Sequence, residues 1–266
     1  MGHNLIENKC KSKSLAKRFI QRKAKSWKFA ALTAYDYPMG KLLDGLGLDF
    51  LLVGDSLGMV VLGYPDTTMV TLDDMVHHTR AVARGVSETP LIADLPAHST
   101  ETKSMGVISA RKLIEAGAKG VKPEGGRELL PVIKGILGEG IPVLGHIGTL
   151  PQKVKEEGGY KVKGKNPEQA EELIADAQAL DEAGVFGLVL ELVSPPVAEA
   201  ISRKTRVPTI GIGSGSGCDG QILVTHDLLG MFPWFKPRFV RPKVDLAAQI
   251  QSAVTEFVKE CRKVGE

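Results

Sequence analysis

The sequence predicts a (β/α)8 barrel, and three observations support this fold class. About eight short apolar runs alternate with amphipathic stretches at a spacing of roughly 30 residues, which is typical of βα units. The runs are apolar throughout, as expected for parallel strands covered on both faces. The length of 266 residues fits one such barrel with a short extension. A doubly wound open sheet is the alternative architecture.

The first half of the chain contains four predicted strands and the helices that connect them. Thr71 is a suitable N-cap for one of these helices, and Asp73 and Asp74 lie in its first turn, where the helix dipole favours acids. The predicted strands cover residues 29–34, 50–53, 91–94 and 120–122. The predicted helices cover about 38–46, 71–84, 103–116 and a stretch that follows Gly125-Gly126 and ends near Leu137.

The second half of the chain repeats this plan. Pro167 opens a predicted helix near its first turn, where the missing N–H costs nothing. A longer loop rich in Gly and Lys precedes this helix, from Gly148 to Asn166. The predicted strands cover residues 142–146, 188–191, 208–212 and, more weakly, 221–224, and the predicted helices cover 167–183, 196–203 and 246–264.

The composition excludes several classes of protein. Apolar residues make up 43% and charged residues 24%, which is close to the globular average and excludes a disordered chain. No apolar run approaches the 18 residues of a membrane span, and no secretory signal pattern opens the sequence. Three cysteines are too few and too scattered for a disulfide framework. We therefore expect a cytoplasmic protein without a membrane partner.

The positive charge is concentrated at the N-terminus. Residues 1–28 carry nine Lys or Arg and one acid, so the remaining 238 residues are net −5 in a chain of net charge +3. A basic arm can bind nucleic acid or an anionic membrane. A helix that packs on the barrel or on a neighbouring subunit is the preferred interpretation, since no aromatic platform accompanies the charge. We predict a basic arm over residues 1–28 and a single barrel catalytic domain over residues 29–266.

Polar side chains follow five of the predicted strands. Because the carboxyl ends of barrel strands face one mouth, where barrel active sites lie, we expect these side chains to meet. Several carboxylates at one mouth need a cation or mutual pairing. The side chains are those of Asp55, Asp94, Lys122, Glu124, His146 and Glu191.

The acids Asp55, Asp94 and Glu124 suggest a magnesium site. Mg²⁺ prefers hard oxygen ligands, and it commonly takes one or two carboxylates together with waters and a substrate oxygen. The alternative for each acid is an ion pair with a nearby Lys or Arg, or a cap on a loop. Three acids at successive strand ends favour the metal.

Lys122 and Glu191 have two interpretations each, and His146 has one. Lys122 is either a Schiff-base nucleophile or a cation for a substrate carboxylate, and the nearby acids favour the charged, carboxylate-binding form. Glu191 lies among apolar neighbours, where burial would make it a general base, or it forms a salt bridge across the barrel. A lone His146 is most simply a core histidine.

The glycine-rich stretch Gly211–Gly217 follows the seventh predicted strand. Its backbone could cradle an anion, as the loops after the last barrel strands often do. Residues 215–220 also match the dinucleotide pattern GxGxxG, but a predicted strand follows where that pattern requires a helix, and Val240 stands where it requires an acid. We therefore interpret the stretch as a tight turn that lets a substrate approach the backbone.

Eight short stretches form an ordered set of motifs that covers about residues 28–243. They are Thr33–Tyr37, Leu52–Gly58, Ala93–Pro96, Val121–Gly126, Gly145–Gly148, Gly158–Val162, Leu188–Glu191 and Asp219–Val224. In this order they resemble the ketopantoate hydroxymethyltransferase family. Each is weakly specific alone, but eight in order are highly specific. Local departures from the family pattern include Pro123 in place of an aliphatic residue and the order Thr149-Leu150.

The resemblance implies a barrel of the phosphoenolpyruvate/pyruvate-type superfamily, usually a homodecamer. It implies transfer of a hydroxymethyl group from 5,10-methylenetetrahydrofolate to 3-methyl-2-oxobutanoate through a Mg-stabilised enolate, which gives 2-dehydropantoate in pantothenate biosynthesis. By this resemblance Asp55 and Asp94 hold Mg²⁺ with Glu124 in the metal shell, and Glu191 is the proton acceptor. Substrate would contact Asp55, Ser56, Asp94 and Lys122, and His146 and Tyr35 are additional candidates.

Two other functions compete with this one. A lyase or mutase of the same superfamily would also act on a Mg²⁺-bound 2-oxo acid, but such relatives typically carry a cysteine loop after strand 4, where this chain has Glu124-Gly-Gly. A non-catalytic scaffold would bind nucleic acid through the basic arm. We expect small-molecule substrates, no nucleic-acid partner and a homo-oligomer.

Overall fold

Eight parallel strands form a nearly closed barrel in the computed structural model, which describes residues 15–263. The spatial order is β4-β3-β2-β1-β8-β7-β6-β5, and a bridge between Val121 and Val143 joins the two ends. The (β/α)8 prediction is confirmed, and the open doubly wound sheet is wrong because β1 lies beside β8. The strands are β1 (Phe29–Thr33), β2 (Phe50–Val53), β3 (Leu91–Asp94), β4 (Gly120–Lys122), β5 (Leu144–Gly148), β6 (Gly187–Glu191), β7 (Thr209–Ile212) and β8 (Gly220–Leu223).

Helices follow the strands along the chain. Two helices of four residues and three 3-10 turns, at Thr67–Met69, Arg127–Leu129 and Pro151–Lys153, were not predicted. The helices are α1 (residues 15–24), α2 (Tyr37–Leu43), α3 (Leu57–Val60), α4 (Leu72–Gly85), α5 (Lys103–Glu115), α6 (Leu130–Gly138), α7 (Pro167–Ala183), α8 (Pro195–Lys204), α9 (Thr225–Leu228) and α10 (Leu246–Lys263).

The local signals that were strongest in the sequence set the helix ends. α7 begins and ends at the predicted residues, with the Asn166 side chain accepting from the N–H of Gln169. Thr71 caps α4 as predicted: its hydroxyl accepts the N–H of Asp74, and the Asp74 carboxylate accepts the N–H of Thr71. This reciprocal arrangement is a capping box.

Two predicted elements differ from the observed ones, each for a local reason. α2 ends at Leu43, three residues before the predicted end, because Asp44 has extended backbone angles and its carboxylate accepts N–H groups of residues 87–89. β5 begins two residues after the predicted start at Pro142, which has no N–H to donate. It continues to Gly148, which pairs with Glu191, so His146 lies inside the strand and not at its end.

The core divides into two clusters because successive strand residues point to opposite faces. Leu51 and Val53 of β2 belong to the cluster between the barrel and its helices. Phe50 and Leu52 belong to the cluster inside the barrel, which also contains Phe19 of α1. The inner cluster therefore fills the barrel, and the mouth at the carboxyl ends of the strands is left for polar side chains.

The helix α1 packs on the barrel, in agreement with the preferred interpretation of the basic arm. Phe19 is fully buried against Phe29, Phe50 and Phe186. Arg22 pairs with Asp49. Lys23 Nζ donates to the carbonyl oxygens of residues 202 and 207. Residues 1–14 of the predicted arm lie outside the described residues, and the boundary between arm and barrel domain stays a prediction.

The described residues divide into two compact units at residue 222. The second unit contains α9 and α10, joined by a hydrogen bond of 3.0 Å from the N–H of Leu246 to the carbonyl of Leu229. None of the residues of α10 is buried. Between residues 15 and 263 there is no helix long and apolar enough to cross a membrane.

Candidate active site

The carboxyl ends of β2 to β6 bring the six predicted side chains together at the barrel mouth. The six residues are distributed along the chain, and the parallel register of the strands brings their side chains together. Five of them are buried, and the Glu191 side chain is 15% exposed. We call this set the mouth cluster: Asp55, Asp94, Lys122, Glu124, His146 and Glu191.

Lys122 lies at the centre of the mouth cluster. Its Nζ is 3.1 Å from Asp94 Oδ1, 3.8 Å from Glu124 Oε1 and 3.0 Å from His146 Nδ1. Burial alone would lower the pKa of Lys122, but the carboxylates of Asp94 and Glu124 outweigh it and raise the pKa above its usual value. The ammonium form is thus favoured, which agrees with a carboxylate-binding role and not with an amine nucleophile.

Asp55 and Asp94 lie against each other at the ends of β2 and β3. The backbone N–H of Asp55 donates to Asp94 Oδ2 at 3.1 Å. Gly54 leaves room for the Ser56 hydroxyl, since a Cβ there would lie 2.9 Å from Ser56 Oγ. Burial raises the pKa of both carboxyl groups, and the negative charges beside each add to this effect. The pair therefore favours an additional positive charge.

His146 connects Lys122 to Glu191. A lysine ammonium can only donate, so Nδ1 of His146 must accept from it, and Nε2 carries the imidazole hydrogen. Nε2 is 3.3 Å from Glu191 Oε2, which is a close polar contact without hydrogen-bond geometry. Burial, together with the charge of Lys122, lowers the pKa of His146 to about 4, so the ring is neutral at pH 7. His146 is therefore part of the polar cluster and not only a core histidine.

Glu191 is held at the end of β6 by the neighbouring strand. Its carbonyl oxygen accepts the N–H of Thr149 at 2.8 Å. Gly148 makes this contact possible because its φ is +103° and a Cβ there would lie 2.2 Å from that oxygen. Burial raises the pKa of the Glu191 carboxyl, which makes it a stronger base than an exposed glutamate.

Tyr35 and Ser56 lie beside the mouth cluster. Their hydroxyl groups are 2.8 Å apart, and Tyr35 is 1% exposed. The carbonyl oxygen of Tyr35 is 2.6 Å from His78 Nδ1. The structure thus places both predicted hydroxyl residues at the ends of β1 and β2, next to Asp55.

The sequence matches one family over nearly its whole length. The profile of ketopantoate hydroxymethyltransferase matches residues 13–265. The chain belongs to this family. It is 46% identical over 243 residues to 3-methyl-2-oxobutanoate hydroxymethyltransferase of Thermus thermophilus, with 91% of this chain and 93% of that protein covered. It is 48% identical over 246 residues to the protein of the same name from Acetivibrio thermocellus, with 92% and 87% covered.

The solved structures add evidence on the fold. A 2,3-dimethylmalate lyase of the PEP mutase/isocitrate lyase superfamily superposes with a TM-score of 0.58 at 17% identity, over 95% of this chain and 89% of that one. At this identity the likeness shows the barrel fold alone.

The mouth cluster of this family member fits a divalent cation. With all three carboxyls ionised, as a bound cation would favour, Asp55, Asp94, Glu124 and the Lys122 ammonium would carry a net charge of −2, which one divalent cation would balance. Glu124 Oε1 is buried without a hydrogen-bond partner in the described part of the chain. No group of three His, Cys, Asp or Glu residues within 15–263 forms a ready metal site, but Mg²⁺ needs only one or two carboxylates besides water and substrate.

Two residues near the cluster were not predicted from the sequence. Gln152 donates from Nε2 to Asp55 Oδ2 at 2.8 Å, and its backbone N–H donates to Glu124 Oε2 at 3.1 Å. Partial burial raises the pKa of the Tyr160 hydroxyl, and the charges of Glu191 and Asp55 add to this. Both residues belong to the loop between Gly148 and Asn166, whose sequence has no regular period that would place its side chains.

The glycine-rich stretch after β7 forms a tight turn. Gly213 and Gly215 have positive φ angles of 66° and 80°. Between them, Ser214 Oγ accepts the N–H of Val193 at 2.9 Å and donates to the carbonyl of Leu190 at 2.7 Å. These contacts attach the turn to β6, and a ligand for its backbone stays a prediction.

Proposed function

We propose that this chain transfers a hydroxymethyl group from 5,10-methylenetetrahydrofolate to 3-methyl-2-oxobutanoate and forms 2-dehydropantoate, in pantothenate biosynthesis. The observation that supports this most directly is the mouth cluster, in a chain of the ketopantoate hydroxymethyltransferase family. The relatives named 3-methyl-2-oxobutanoate hydroxymethyltransferase support the same substrate. A cytoplasmic location and a homodecamer are part of the proposal, by resemblance to the family.

The substrate is a small 2-oxo acid, and the cluster offers complementary groups for it. Lys122 would bind the carboxylate as a cation, since its ammonium form is favoured by Asp94 and Glu124. The hydroxyl of Ser56, held by the Tyr35 hydroxyl at 2.8 Å, would donate to a substrate oxygen. Substrate would thus be bound between the ends of β2 and β4.

Asp55 and Asp94 would hold Mg²⁺, with Glu124 in the metal shell. A bound Mg²⁺ supplies Lewis-acid stabilisation of negative charge on the keto oxygen. The net negative charge of the three acids and Lys122 is what supports a divalent ion here. The assignment of folate as the one-carbon donor rests on the family resemblance and not on contacts in the mouth cluster.

Glu191 would remove the C3 proton of 3-methyl-2-oxobutanoate. Its carboxyl has a raised pKa and lies partly exposed at the mouth. The neutral His146, whose Nε2 is 3.3 Å from Glu191 Oε2, would pack against this carboxylate without neutralising it. The C3–H bond breaks with the proton going to Glu191, and the electron pair forms the enolate.

The enolate carbon would then form a bond to the one-carbon unit carried by folate. In the balanced reaction, 3-methyl-2-oxobutanoate, 5,10-methylenetetrahydrofolate and water give 2-dehydropantoate and tetrahydrofolate. The oxygen of the new hydroxymethyl group therefore comes from water. The proton taken by Glu191 is returned to solvent or to the departing folate nitrogen.

Product formation tests this function. The purified protein is incubated with Mg²⁺ and 3-methyl-2-oxobutanoate, with 5,10-methylenetetrahydrofolate, with tetrahydrofolate or with neither, and 2-dehydropantoate is measured by proton NMR. We expect product only with methylenetetrahydrofolate. Product absent from all three incubations, with folded protein, would refute the proposed function. Cleavage of the 2-oxo acid would instead support the lyase alternative.

A further inference from the structure

Gln152 makes three hydrogen bonds to the polar mouth of the barrel. It lies in the 3-10 turn Pro151–Lys153, at the start of the loop that follows β5. Its Nε2 donates to Asp55 Oδ2 at 2.8 Å and to the carbonyl of Leu95 at 3.0 Å. Its backbone N–H donates to Glu124 Oε2 at 3.1 Å. One residue thus connects the chain segments that follow β2, β3 and β4.

The partners of Gln152 determine the orientation of its amide. Both partners of Nε2, Asp55 Oδ2 and the Leu95 carbonyl, are acceptors. A flipped amide would place its oxygen against two other oxygens, so only the assigned orientation is compatible with them. Both amide hydrogens are therefore used, and the side chain is restrained in one rotamer against Asp55.

We propose that Gln152 is a positioning residue that sets the orientation of the Asp55 carboxylate for a divalent cation and the 2-oxo acid. This inference rests on the proposed function, because it takes Asp55 as a metal ligand. Gln152 fixes Oδ2 of Asp55 from one side with a neutral donor. A lysine in its place would bring a cation that competes with the metal, and a glutamate would place another carboxylate beside Asp55 and Glu124.

The length of the side chain is part of this role. Glutamine reaches two acceptors in the segments that follow β2 and β3, while its own backbone N–H remains on Glu124. Asparagine is one methylene shorter and retains the amide without that reach. Partners that orient metal ligands typically change metal affinity 10–100-fold when they are removed, so the effect of Gln152 on metal binding should be measurable.

The test measures Mn²⁺ binding to metal-free protein by electron paramagnetic resonance, with no substrate present. Q152A should weaken Mn²⁺ binding about 10–100-fold relative to the wild type. The matched control is Q169A. Gln169 lies in α7, and its side chain accepts the N–H of Gly164, which belongs to the same loop as Gln152, but it has no described contact with the mouth cluster. The control should bind Mn²⁺ as the wild type does.

A kinetic readout separates positioning from general loss of structure. In Q152A the Mg²⁺ concentration that gives half-maximal activity should rise by about the same factor as the Mn²⁺ dissociation constant, while kcat at saturating Mg²⁺ changes much less. Q152N should show a loss in Mn²⁺ affinity of the same direction. It replaces Q152A if the alanine variant does not fold.

Two results would overturn the inference, and they differ from a failure of the proposed function. The inference is wrong if a folded Q152A or Q152N binds Mn²⁺ as tightly as the wild type does, or if Q169A loses as much affinity. In either case Gln152 does not position the Asp55 carboxylate, but turnover by the wild type would still support the proposed function. A wild-type protein that binds no Mn²⁺ would overturn this inference together with the metal assignment in the proposed function.

Discussion

Removing the Phe19 ring should destabilise the barrel more than any other single change in α1. Phe19 is fully buried among the rings of Phe29, Phe50 and Phe186, with centroid distances of 5.1, 6.3 and 5.2 Å. These three residues lie at the starts of β1 and β2 and directly before β6. The ring therefore fills the amino-terminal end of the barrel interior, opposite the mouth.

The magnitude follows from the burial and the ring contacts. Truncation of a buried phenylalanine to alanine costs about 3–5 kcal/mol, through lost transfer free energy and the cavity left behind. Aromatic pairs add about 0.5–1.5 kcal/mol beyond the buried area. Both contributions apply to Phe19, so we expect F19A to lose about 4 kcal/mol, in the middle of the range.

Urea unfolding followed by circular dichroism, at one fixed protein concentration, measures this loss. The matched control is I20A, since Ile20 is the next residue of α1 and is 37% exposed. An exposed position of this kind should change the free energy of unfolding by no more than about 0.5 kcal/mol. If F19A is as stable as I20A, α1 does not close the barrel interior.

Two further predictions concern charged groups. Burial alone would raise the pKa of Asp44, but hydrogen bonds from Thr89, Ser87 and Glu88 hold it well below its usual value. D44A should therefore lose about 1–2 kcal/mol at pH 7. Because the pKa of Asp44 is lowered in the folded state, its carboxylate stabilises the fold fully above the unfolded pKa of about 4 and less as the pH falls below that value. The loss measured by urea unfolding should therefore be smaller at pH 3, and an equal loss at both pH values would contradict this. K122M should lose up to about 3–5 kcal/mol at pH 7, because the buried carboxyls of Asp94 and Glu124 lose their cation and must either stay unpaired or take up protons. It should also raise KM for the 2-oxo acid; an unchanged KM in steady-state kinetics would refute carboxylate binding by Lys122.

The sequence was sufficient for the fold and for the strand-end side chains. Asp94, Lys122 and Glu191 each terminate a strand at the predicted residue, because an apolar run that ends in a charged residue indicates where the covered strand reaches the polar mouth of the barrel. The parallel barrel then brings these ends together without further information. The acid-rich mouth was therefore predictable from spacing alone.

The contacts between these side chains were not predictable. His146 could not be assigned to Lys122 and Glu191 from the sequence, because β5 continues two residues beyond the predicted end and places His146 within the strand. Gln152 and Asp55 are 97 positions apart. Only the folded loop brings them into contact, and no periodic pattern in residues 148–166 indicates where its side chains lie.

For α1, too, the element was predictable from the sequence and its contacts were not. The most prominent sequence feature of residues 1–28 is their lysines and arginines, whereas the residue that anchors the helix is the single phenylalanine between them, Phe19. Its partners Phe29, Phe50 and Phe186 are distributed over the chain, and only the closed barrel assembles them. The sequence predicted that the helix packs, but not what it packs against.

Hydrogen–deuterium exchange at C3 of 3-methyl-2-oxobutanoate tests the central claim most directly. Proton NMR in D₂O follows the C3–H signal in the presence of protein and Mg²⁺ and in the absence of folate. The proteins compared are the wild type, E191Q and the control E199Q, which changes an exposed glutamate of α8. We expect the wild type and E199Q to exchange the proton and E191Q to be slower by about 10²–10⁴-fold, as expected for loss of a general base. Exchange by E191Q at the wild-type rate would contradict the assignment of Glu191 as the proton acceptor.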